Sequence, residues 1–351
     1  MRRLMITGGA GFIGANFVHY WLKHHGDDFV LVLDKLTYAG NPDNLNGLDA
    51  SPNFRFVRGD ICNFELVEYL LREYEIDTIV HFAAESHVDR SVTGPDAFVQ
   101  TNVMGTHSLL KAARAVWLSG KAVSHRFHHI STDEVYGSLG PDDPAFSENT
   151  PYAPNSPYSA SKAASDHLVR SYGHTYGLNY TISNCSNNFG PYQFPEKLIP
   201  LSIINILLGR PIPVYGDGQN VRDWLYVEDH CVGLDLILQK ASHGEVYNIG
   251  GNNQWRNLEL IRLLCRHLNE FFAKDSSMKE RFPGSPCARN ESAESLITFV
   301  KDRPGHDRRY AIDASKMERE LEFRVSRDFS TALKKTISWY LQNEGWWRKL
   351  L

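Results

Sequence analysis

The sequence is poor in the features that mark secreted and metal-binding proteins. Its five cysteines are odd in number and lack CxxC spacing, lying at Cys62, Cys185, Cys231, Cys265 and Cys287. This pattern predicts reduced thiols in a cytoplasmic protein, and it argues against a disulfide framework or a zinc site. The histidine pairs at 24–25 and 128–129 lack the spacing of ligands on a helix. We therefore expect no metal centre.

Long apolar runs and a strong excess of one charge are also missing. No stretch approaches the length of a membrane-spanning helix and no cleavable signal segment is evident, so we expect no membrane association. The formal net charge of −4 is too balanced for a polybasic surface, so we expect no nucleic-acid partner. The 351 residues, 42% of them hydrophobic, suffice for two closely joined domains with full cores.

Strand-like and helix-like segments alternate through the first half of the chain. Short apolar runs that predict strands lie at 29–33, 54–57, 78–82, 127–130 and 180–183. Helical patterns between them lie at 64–74, at 97–115 and from Pro157 onward. This alternation predicts an α/β fold with a Rossmann-type, doubly wound parallel sheet.

The pattern loosens after residue 184, where prolines become frequent. We therefore predict a Rossmann domain over 1–190 and a smaller C-terminal substrate-binding domain mainly over 191–351. Segments near 227–250, which include the strand-like run 246–249, are expected to return to the first domain. The stretch 282–294 is rich in Pro, Gly, Ser and charge, and it predicts an exposed loop.

A glycine-rich loop, residues 7–14, follows the first apolar run and precedes an amphipathic helical pattern. Gly9, Gly11 and Gly14 match the dinucleotide fingerprint. Gly8-x-x-Gly11-x-x-Gly14 is an alternative register of the same loop. Such a loop lets main-chain N–H groups approach a pyrophosphate at a helix N-terminus. The sequence therefore predicts a dinucleotide site.

Asp34 ends the next strand-like run, twenty residues after Gly14. An acidic side chain at this place accepts hydrogen bonds from a ribose hydroxyl. Its carboxylate also repels a ribose 2′-phosphate, so Asp34, followed by Lys35, predicts NAD rather than NADP.

Tyr158 and Lys162 are spaced i, i+4 after Ser156-Pro157, a favourable helix start. This spacing places both side chains on one helix face. A tyrosine has a pKa of about 10, and a nearby ammonium and nicotinamide cation are expected to lower it. Tyr158 could then take the proton from a substrate hydroxyl while the carbon beneath gives hydride to the cofactor.

Taken with Asn102, these motifs resemble those of the extended short-chain dehydrogenase/reductases. Six further strings narrow the resemblance, over nearly the whole chain and in the same order, to the dTDP-glucose 4,6-dehydratases. They are Ala84–Ser91, Ile130–Gly137, Asn184–Asn188, Phe194–Pro200, Arg222–Asp229 and Asp302–Tyr310.

The resemblance implies an NAD-dependent hydro-lyase that converts dTDP-glucose to dTDP-4-keto-6-deoxyglucose. The sugar is oxidised at C4, water is eliminated across C5–C6, and the hydride returns to C6. Tyr158 would be the base at O4, supported by Lys162 and Thr132. Glu134 would be the base at C5 and Asp133 the acid at O6. Adjacent carboxylates repel, so one of them is expected to hold a proton at neutral pH.

The resemblance also implies two sets of binding residues. The NAD set comprises Gly8, Gly11, Phe12, Ile13, Gly14, Asp34, Lys35, Leu36, Thr37, Asp60, Ile61, Phe82, Ala83, Ala84, Ser86, Thr101, Tyr158, Lys162 and Asn188. The nucleotide-sugar set comprises Ser86, Thr132, Asn187, Glu196, Lys197, Leu198, Pro213, Tyr215, Arg222, Asn257, Arg303, His306 and Tyr310. Because a guanidinium offers bidentate donors, Arg222 and Arg303 are expected to clamp the diphosphate.

Three alternatives stay open at this point. A 4,6-dehydratase of another nucleotide sugar would carry the same motifs. A nucleotide-sugar 4-epimerase shares the fold, the cofactor and the tyrosine–lysine pair, but it needs no acid–base pair for elimination. A regulator that binds the cofactor without catalysis would not need Tyr158, Lys162, Asp133 and Glu134 to be intact.

A homodimer is also implied by the resemblance, with the helix 97–115 and the helix from Pro157 packing against their copies. Apolar residues on these helices exceed what one sheet face needs. They are Val103, Leu109, Leu110, Val116, Leu168 and Val169.

Overall fold

Residues 1–119, 124–302 and 305–351 are described by a computed structural model of the protein. Its strands are β1 (Arg3–Thr7), β2 (Phe29–Asp34), β3 (Phe54–Arg58), β4 (Thr78–His81), β5 (Arg126–Thr132), β6 (Tyr180–Cys185), β7 (Asn187–Phe189), β8 (Ile212–Tyr215), β9 (Val221–Tyr226), β10 (Val246–Ile249), β11 (Gln254–Arg256) and β12 (Ile297–Val300).

Its α-helices are α1 (Phe12–His24), α2 (Phe64–Glu73), α3 (Val88–Thr93), α4 (Asp96–Phe98), α5 (Thr106–Trp117), α6 (Pro157–Tyr176), α7 (Leu198–Leu208), α8 (Val227–Lys240), α9 (Asn257–Lys274), α10 (Ser277–Arg281), α11 (Ser315–Leu321), α12 (Phe329–Gln342) and α13 (Glu344–Arg348).

Seven strands form a central sheet in the order β10-β6-β5-β4-β1-β2-β3, and every pairing in it is parallel. Successive side chains of a strand point to opposite faces. Leu4 and Ile6 therefore pack into the core beside α1 and α8, while Met5 packs beside α2 and α5. The predicted Rossmann-type, doubly wound sheet is confirmed.

The late segments α8 and β10 belong to this layer. β10 pairs with β6 at the sheet edge, and the α8 residues Leu234 and Ile237 share a core cluster with Val18 and Trp21 of α1. A separate core packs α7, α9 and α12 around Ile203, Leu264 and other apolar side chains. The division at residue 190 stays a prediction.

The stretch 282–294 is not the exposed loop that its composition suggested. Phe282, Cys287 and Ala293 are buried, and two short 3-10 helices, Pro286–Arg289 and Ala293–Leu296, shape it. Apolar residues between its polar ones reach the C-terminal core. The average composition of the stretch therefore did not predict this burial.

The predicted helix over 97–115 extends from Asp96 to Trp117, with a π-helical segment at Val99–Gly105 between α4 and α5. Asn102 lies in that segment and is buried. Its side chain accepts from Glu85 N and donates to Ser161 Oγ of α6, both at 2.8 Å. π-Helical turns often mark functional sites, and this one ties α6 to the loop after β4.

Across the described ranges, we find no helix that combines the length and the apolar character needed to cross a bilayer. Nor do the described His, Cys, Asp and Glu side chains form a group of three or more that could hold a metal ion.

Candidate active site

A cavity of about 320 Å³ lies at the carboxyl ends of the central strands. Its wall includes Gly8 after β1, Asp34 at the end of β2, Phe82 after β4, Thr132 at the end of β5 and Cys185 at the end of β6. This is the edge where doubly wound sheets bind their ligands.

The glycine loop has no room for side chains. Gly8 has φ +71°, and a Cβ on it would lie 2.6 Å from the main-chain nitrogen of Ala83. A Cβ on Gly14 would collide with the Gly8 carbonyl oxygen. Gly11 caps α1 without a side-chain hydrogen bond to the first helical N–H groups. These groups and the bare backbone fit a dinucleotide pyrophosphate.

Asp34 is buried at the cavity wall and holds the loop with both carboxylate oxygens. Ala10 N donates to Oδ2 at 2.9 Å and Leu36 N donates to Oδ1 at 2.8 Å. Burial raises the pKa of this carboxyl. Beside it, Lys35 and Asp60 form an ion pair of 2.7 Å, so the neighbouring cation already has a counter-charge.

The C-terminal end of the chain supports the same loop. Trp346 Nε1 donates to Asn44 Oδ1 at 2.8 Å, and Asn44 Nδ2 donates to the Ala10 carbonyl at 2.9 Å. Lys349 pairs with Asp43 at 2.8 Å. The last helix thus contacts the cofactor side of the sheet.

Tyr158 and Lys162 lie on the first two turns of α6. Ser156 and Ser159 form a reciprocal capping box, with Pro157 at the first helical position, so local sequence fixes where the helix starts. The side chains of Tyr158 and Thr132 are hydrogen-bonded to each other. Lys162 is 4% exposed and donates to the Ile130 carbonyl at 2.7 Å.

The pKa of Tyr158 differs from the sequence-based expectation. Burial, and then the negative charge of Glu134, raise it well above its usual value in the protein alone. The Lys162 ammonium donates to the main-chain carbonyl of Ile130 at 2.7 Å.

Asp133 and Glu134 begin a short 3-10 helix directly after β5, and Thr132 caps it by accepting from Glu134 N at 3.2 Å. Asp133 is 2% exposed, whereas Glu134 is half-buried. Burial and the charges of Glu134 and Asp223 raise the pKa of Asp133 well above its usual value. A raised pKa favours the protonated form of Asp133, which is the form that an acid needs.

A second group of predicted residues lies beside this pair. Arg222 stacks over the Tyr310 ring at 4.3 Å and donates to the Asp307 carbonyl at 3.0 Å. The Arg222 charge lowers the pKa of Asp133 and the Glu134 charge raises that of Tyr310. The two groups are thus electrostatically coupled.

The predicted site residues fall into three groups by position: those that line the cavity, those that lie outside its wall, and one that lies outside the described residues. Of the NAD set, all except Leu36 line the cavity, and Leu36 contributes the N–H that binds Asp34. Of the catalytic and nucleotide-sugar sets, Ser86, Thr132, Asp133, Glu134, Asn187, Glu196 and Lys197 line it as well. Leu198, Pro213, Tyr215, Arg222, Asn257, His306 and Tyr310 lie outside its wall, and Arg303 lies outside the described residues.

Several lining residues were missed by sequence reasoning. Glu85, Cys185 and Phe194 belong to strings that carried the resemblance, so those strings held the signal. Tyr38 and Gln193 carried none, because only the fold brings their side chains to the cavity.

Together, the glycine loop, the buried acid after β2 and the Tyr158–Lys162 pair define a Rossmann-fold enzyme of the short-chain dehydrogenase/reductase class. A family model described as GDP-mannose 4,6 dehydratase matches residues 5–336. A dTDP-glucose 4,6-dehydratase of Neisseria meningitidis serogroup B is 49% identical, over 100% of this chain and 96% of the relative. The chain belongs to the dTDP-glucose 4,6-dehydratase family, and the predicted family is confirmed.

Solved structures agree with this assignment. A dTDP-glucose 4,6-dehydratase of Streptomyces venezuelae, solved with NAD bound, has a TM-score of 0.88 and 47% identity, and the match covers 99% of this chain and 100% of that one. A UDP-glucose 4-epimerase of Thermotoga maritima has a TM-score of 0.83 but only 25% identity, over 97% and 99% of the two chains. The epimerase thus shares the fold, but its sequence identity to this chain is lower than that of the dehydratase.

Proposed function

We propose that this protein is an NAD-dependent hydro-lyase that converts dTDP-glucose to dTDP-4-keto-6-deoxyglucose. The observation that carries the proposal is a buried carboxyl, Asp133, next to a second carboxyl, Glu134, in the cavity that also holds Tyr158 and the glycine loop. The names of the relatives confirm the predicted function and cofactor.

NAD, when bound, would supply the hydride acceptor for C4 of the sugar and the hydride donor for C6. Gly11 and the start of α1 would hold its pyrophosphate, and Asp34 would hold its adenosine ribose. Tyr158 removes the proton from O4, helped by the Thr132 hydroxyl, which is hydrogen-bonded to the phenol. Since burial opposes the phenolate, the positive charge of Lys162 is needed to offset it.

Elimination follows because the C4 ketone acidifies the C5 proton. Glu134 takes that proton and Asp133 gives its own to the departing O6. The division of roles fits the burial of the two side chains, since burial raises the pKa of Asp133, the more buried carboxyl, and so favours its acid form. Arg222, stacked on Tyr310 nearby, supplies positive charge for the diphosphate.

The test is incubation of the NAD-loaded protein with dTDP-glucose, UDP-glucose or GDP-mannose, followed by detection of a 4-keto-6-deoxy product. We expect product from dTDP-glucose in preference to the other two. Preferred turnover of another sugar nucleotide would favour a different 4,6-dehydratase. Inversion at C4 without loss of water would favour an epimerase, and no turnover with any sugar would favour a non-catalytic cofactor binder.

We also propose that the protein is a cytoplasmic homodimer. The five cysteines are unpaired, in keeping with a reducing compartment. On the two helical segments expected at the interface, Val99, Met104 and Tyr176 are 52%, 48% and 42% exposed. Unpartnered apolar side chains of this size favour association through that face.

The six apolar residues that the sequence analysis expected at the interface differ in how deeply they are buried. Leu109, Leu110 and Val169 are fully buried in the protein's own core and cannot contact a partner, because α5 and α6 pack them against the sheet. Val103, Val116 and Leu168 are partly buried. Light scattering at micromolar concentration tests the proposal, and a monomer mass there would contradict it.

A further inference from the structure

A buried charged network lies behind the Tyr158–Lys162 pair and has no role in the steps above. Asp166 follows Lys162 by four residues on α6 and is fully buried. Ser131 Oγ donates to Asp166 Oδ2 at 2.8 Å. His129 Nε2 lies 3.2 Å from Asp166 Oδ1 and 3.4 Å from Lys162 Nζ. One imidazole nitrogen therefore sits between a carboxylate and an ammonium.

His129 is neutral in this setting. Burial and then the charge of Lys162 hold its pKa well below the usual value. A neutral imidazole carries one N–H and one acceptor nitrogen. His129 Nε2 is hydrogen-bonded to Lys162 Nζ, whereas His129 Nδ1 and Asp166 Oδ1 have no hydrogen-bond partner among the described residues. The approach of His129 to Asp166 is therefore a close electrostatic contact.

Among the described residues, Asp166 is the carboxylate whose charge supports that of Lys162. Burial lowers the pKa of Lys162 to about 8, and the charge of Asp166 acts in the opposite direction. Burial raises the pKa of Asp166 to about 6, and here Lys162 acts in the opposite direction. At pH 7 the two groups thus form a buried pair of opposite charges.

Other titratable groups also face this pair. They are His81 on β4, Cys185 on β6, Tyr158 and His167 on α6, and Tyr136 and Tyr152 on the connection before α6. Burial keeps His81 uncharged and raises the pKa of Cys185 to about 12. These two neighbours therefore supply no counter-charge for the ammonium at neutral pH.

We propose that Asp166 is a positioning residue for the dehydration reaction, whose carboxylate keeps Lys162 protonated and in place beside Tyr158. A buried ammonium without a counter-charge loses its proton or its position, since taking a lone charge out of water is costly. Asp166 acts through Lys162 and His129 and does not itself line the cavity. The inference rests on the proposed function, because that function needs Lys162 charged.

The first test is the pH dependence of kcat/KM for Asp166→Asn, which removes the charge and keeps the shape. Activity needs protonated Lys162, so it falls as the pH rises through the pKa of this lysine. Without Asp166 that pKa drops, and we expect the alkaline limb to move to lower pH by about one unit. The matched control is Asp235→Asn, another buried carboxyl paired with a histidine, His25, at 3.0 Å. This control should leave the limb in place.

The second test needs no activity. Asp166→Asn leaves the Lys162 ammonium buried without its partner, and we expect it to lower the thermal midpoint by about 5 °C. Adding Lys162→Met removes the stranded charge, so the double variant should melt above the single one. In the Asp235→Asn background, Lys162→Met should give no such recovery.

The outcomes separate the two proposals. If the wild-type protein does not turn over dTDP-glucose, the proposed function fails, whatever the melting data show. If the wild type is active but Asp166→Asn leaves the alkaline limb unmoved, the positioning role is wrong. Should the single variant fail to fold, recovery of folding by Lys162→Met would support the role, and its absence would overturn it.

Discussion

Glu134→Gln should affect the two halves of the reaction in opposite directions. The Glu134 side chain is half-buried beside Asp133, and its negative charge raises the pKa of both Tyr158 and Asp133. The amide keeps the shape of the side chain but removes the base and the charge. Oxidation at C4 should therefore become easier while proton loss at C5 becomes harder.

The two effects differ in size. Loss of a positioned base costs about 10²- to 10⁴-fold in rate. Loss of one neighbouring charge lowers the pKa of Tyr158 by on the order of one unit, or about 1.4 kcal/mol. We expect the overall dehydration rate to fall by about 10²- to 10⁴-fold. The pH midpoint of the oxidation step should move down by about one unit.

Rapid mixing with dTDP-glucose checks both effects through the absorbance of reduced nicotinamide, which should accumulate in the variant. Exchange of the C5 hydrogen with deuterated solvent checks the base directly and should be almost lost. Asp133→Asn is the companion variant, which should keep C5 exchange and slow the departure of the C6 hydroxyl. If Glu134→Gln exchanged C5 hydrogen at the wild-type rate, Glu134 would not be the base and the two roles could be reversed.

Four further substitutions follow from the same geometry. Tyr158→Phe removes the base at O4, so no reduced nicotinamide should form on mixing with substrate; its formation at the normal rate would exclude Tyr158. Gly14→Ala puts a methyl group against the Gly8 carbonyl, so purified protein should lose NAD, and retention of NAD on gel filtration would contradict the tight fit. Asp34→Asn removes the charge that repels a 2′-phosphate, so the preference for NAD over NADP in equilibrium binding should narrow, and an unchanged ratio would argue against this role. Met104→Glu places a charge on the expected dimer face and should shift the light-scattering mass toward a monomer, whereas an unchanged dimer mass would exclude that face.

Local patterns predicted several helices and strands of the central sheet layer. The run 246–249 was expected to return to the first sheet, and β10 spans those same residues. The predicted helix start at Pro157 coincides with the first residue of α6, because Ser156 and Pro157 encode it locally. Strand and helix identities in such segments depend on neighbours a few residues away, which a sequence displays.

Features that depend on distant contacts were not predictable in the same way. In the protein alone the pKa of Tyr158 is raised, first by burial in the folded structure and then by the charge of Glu134. The contact of Arg222 with Tyr310 joins residues far apart in the chain. Nothing in the local sequence distinguishes Asp166 from other helix residues, and only the fold places it beside His129.

The edge position of β10 has a consequence for how the protein is made on the ribosome. The cofactor-side sheet lacks its last strand until residue 249 has emerged, and the Trp346 contact to Asn44 waits for almost the entire chain. Pairings so distant in sequence form slowly, and an unpaired strand edge invites association with other chains. The nascent N-terminal half therefore exposes an incomplete sheet edge until the segment that contains β10 has been made.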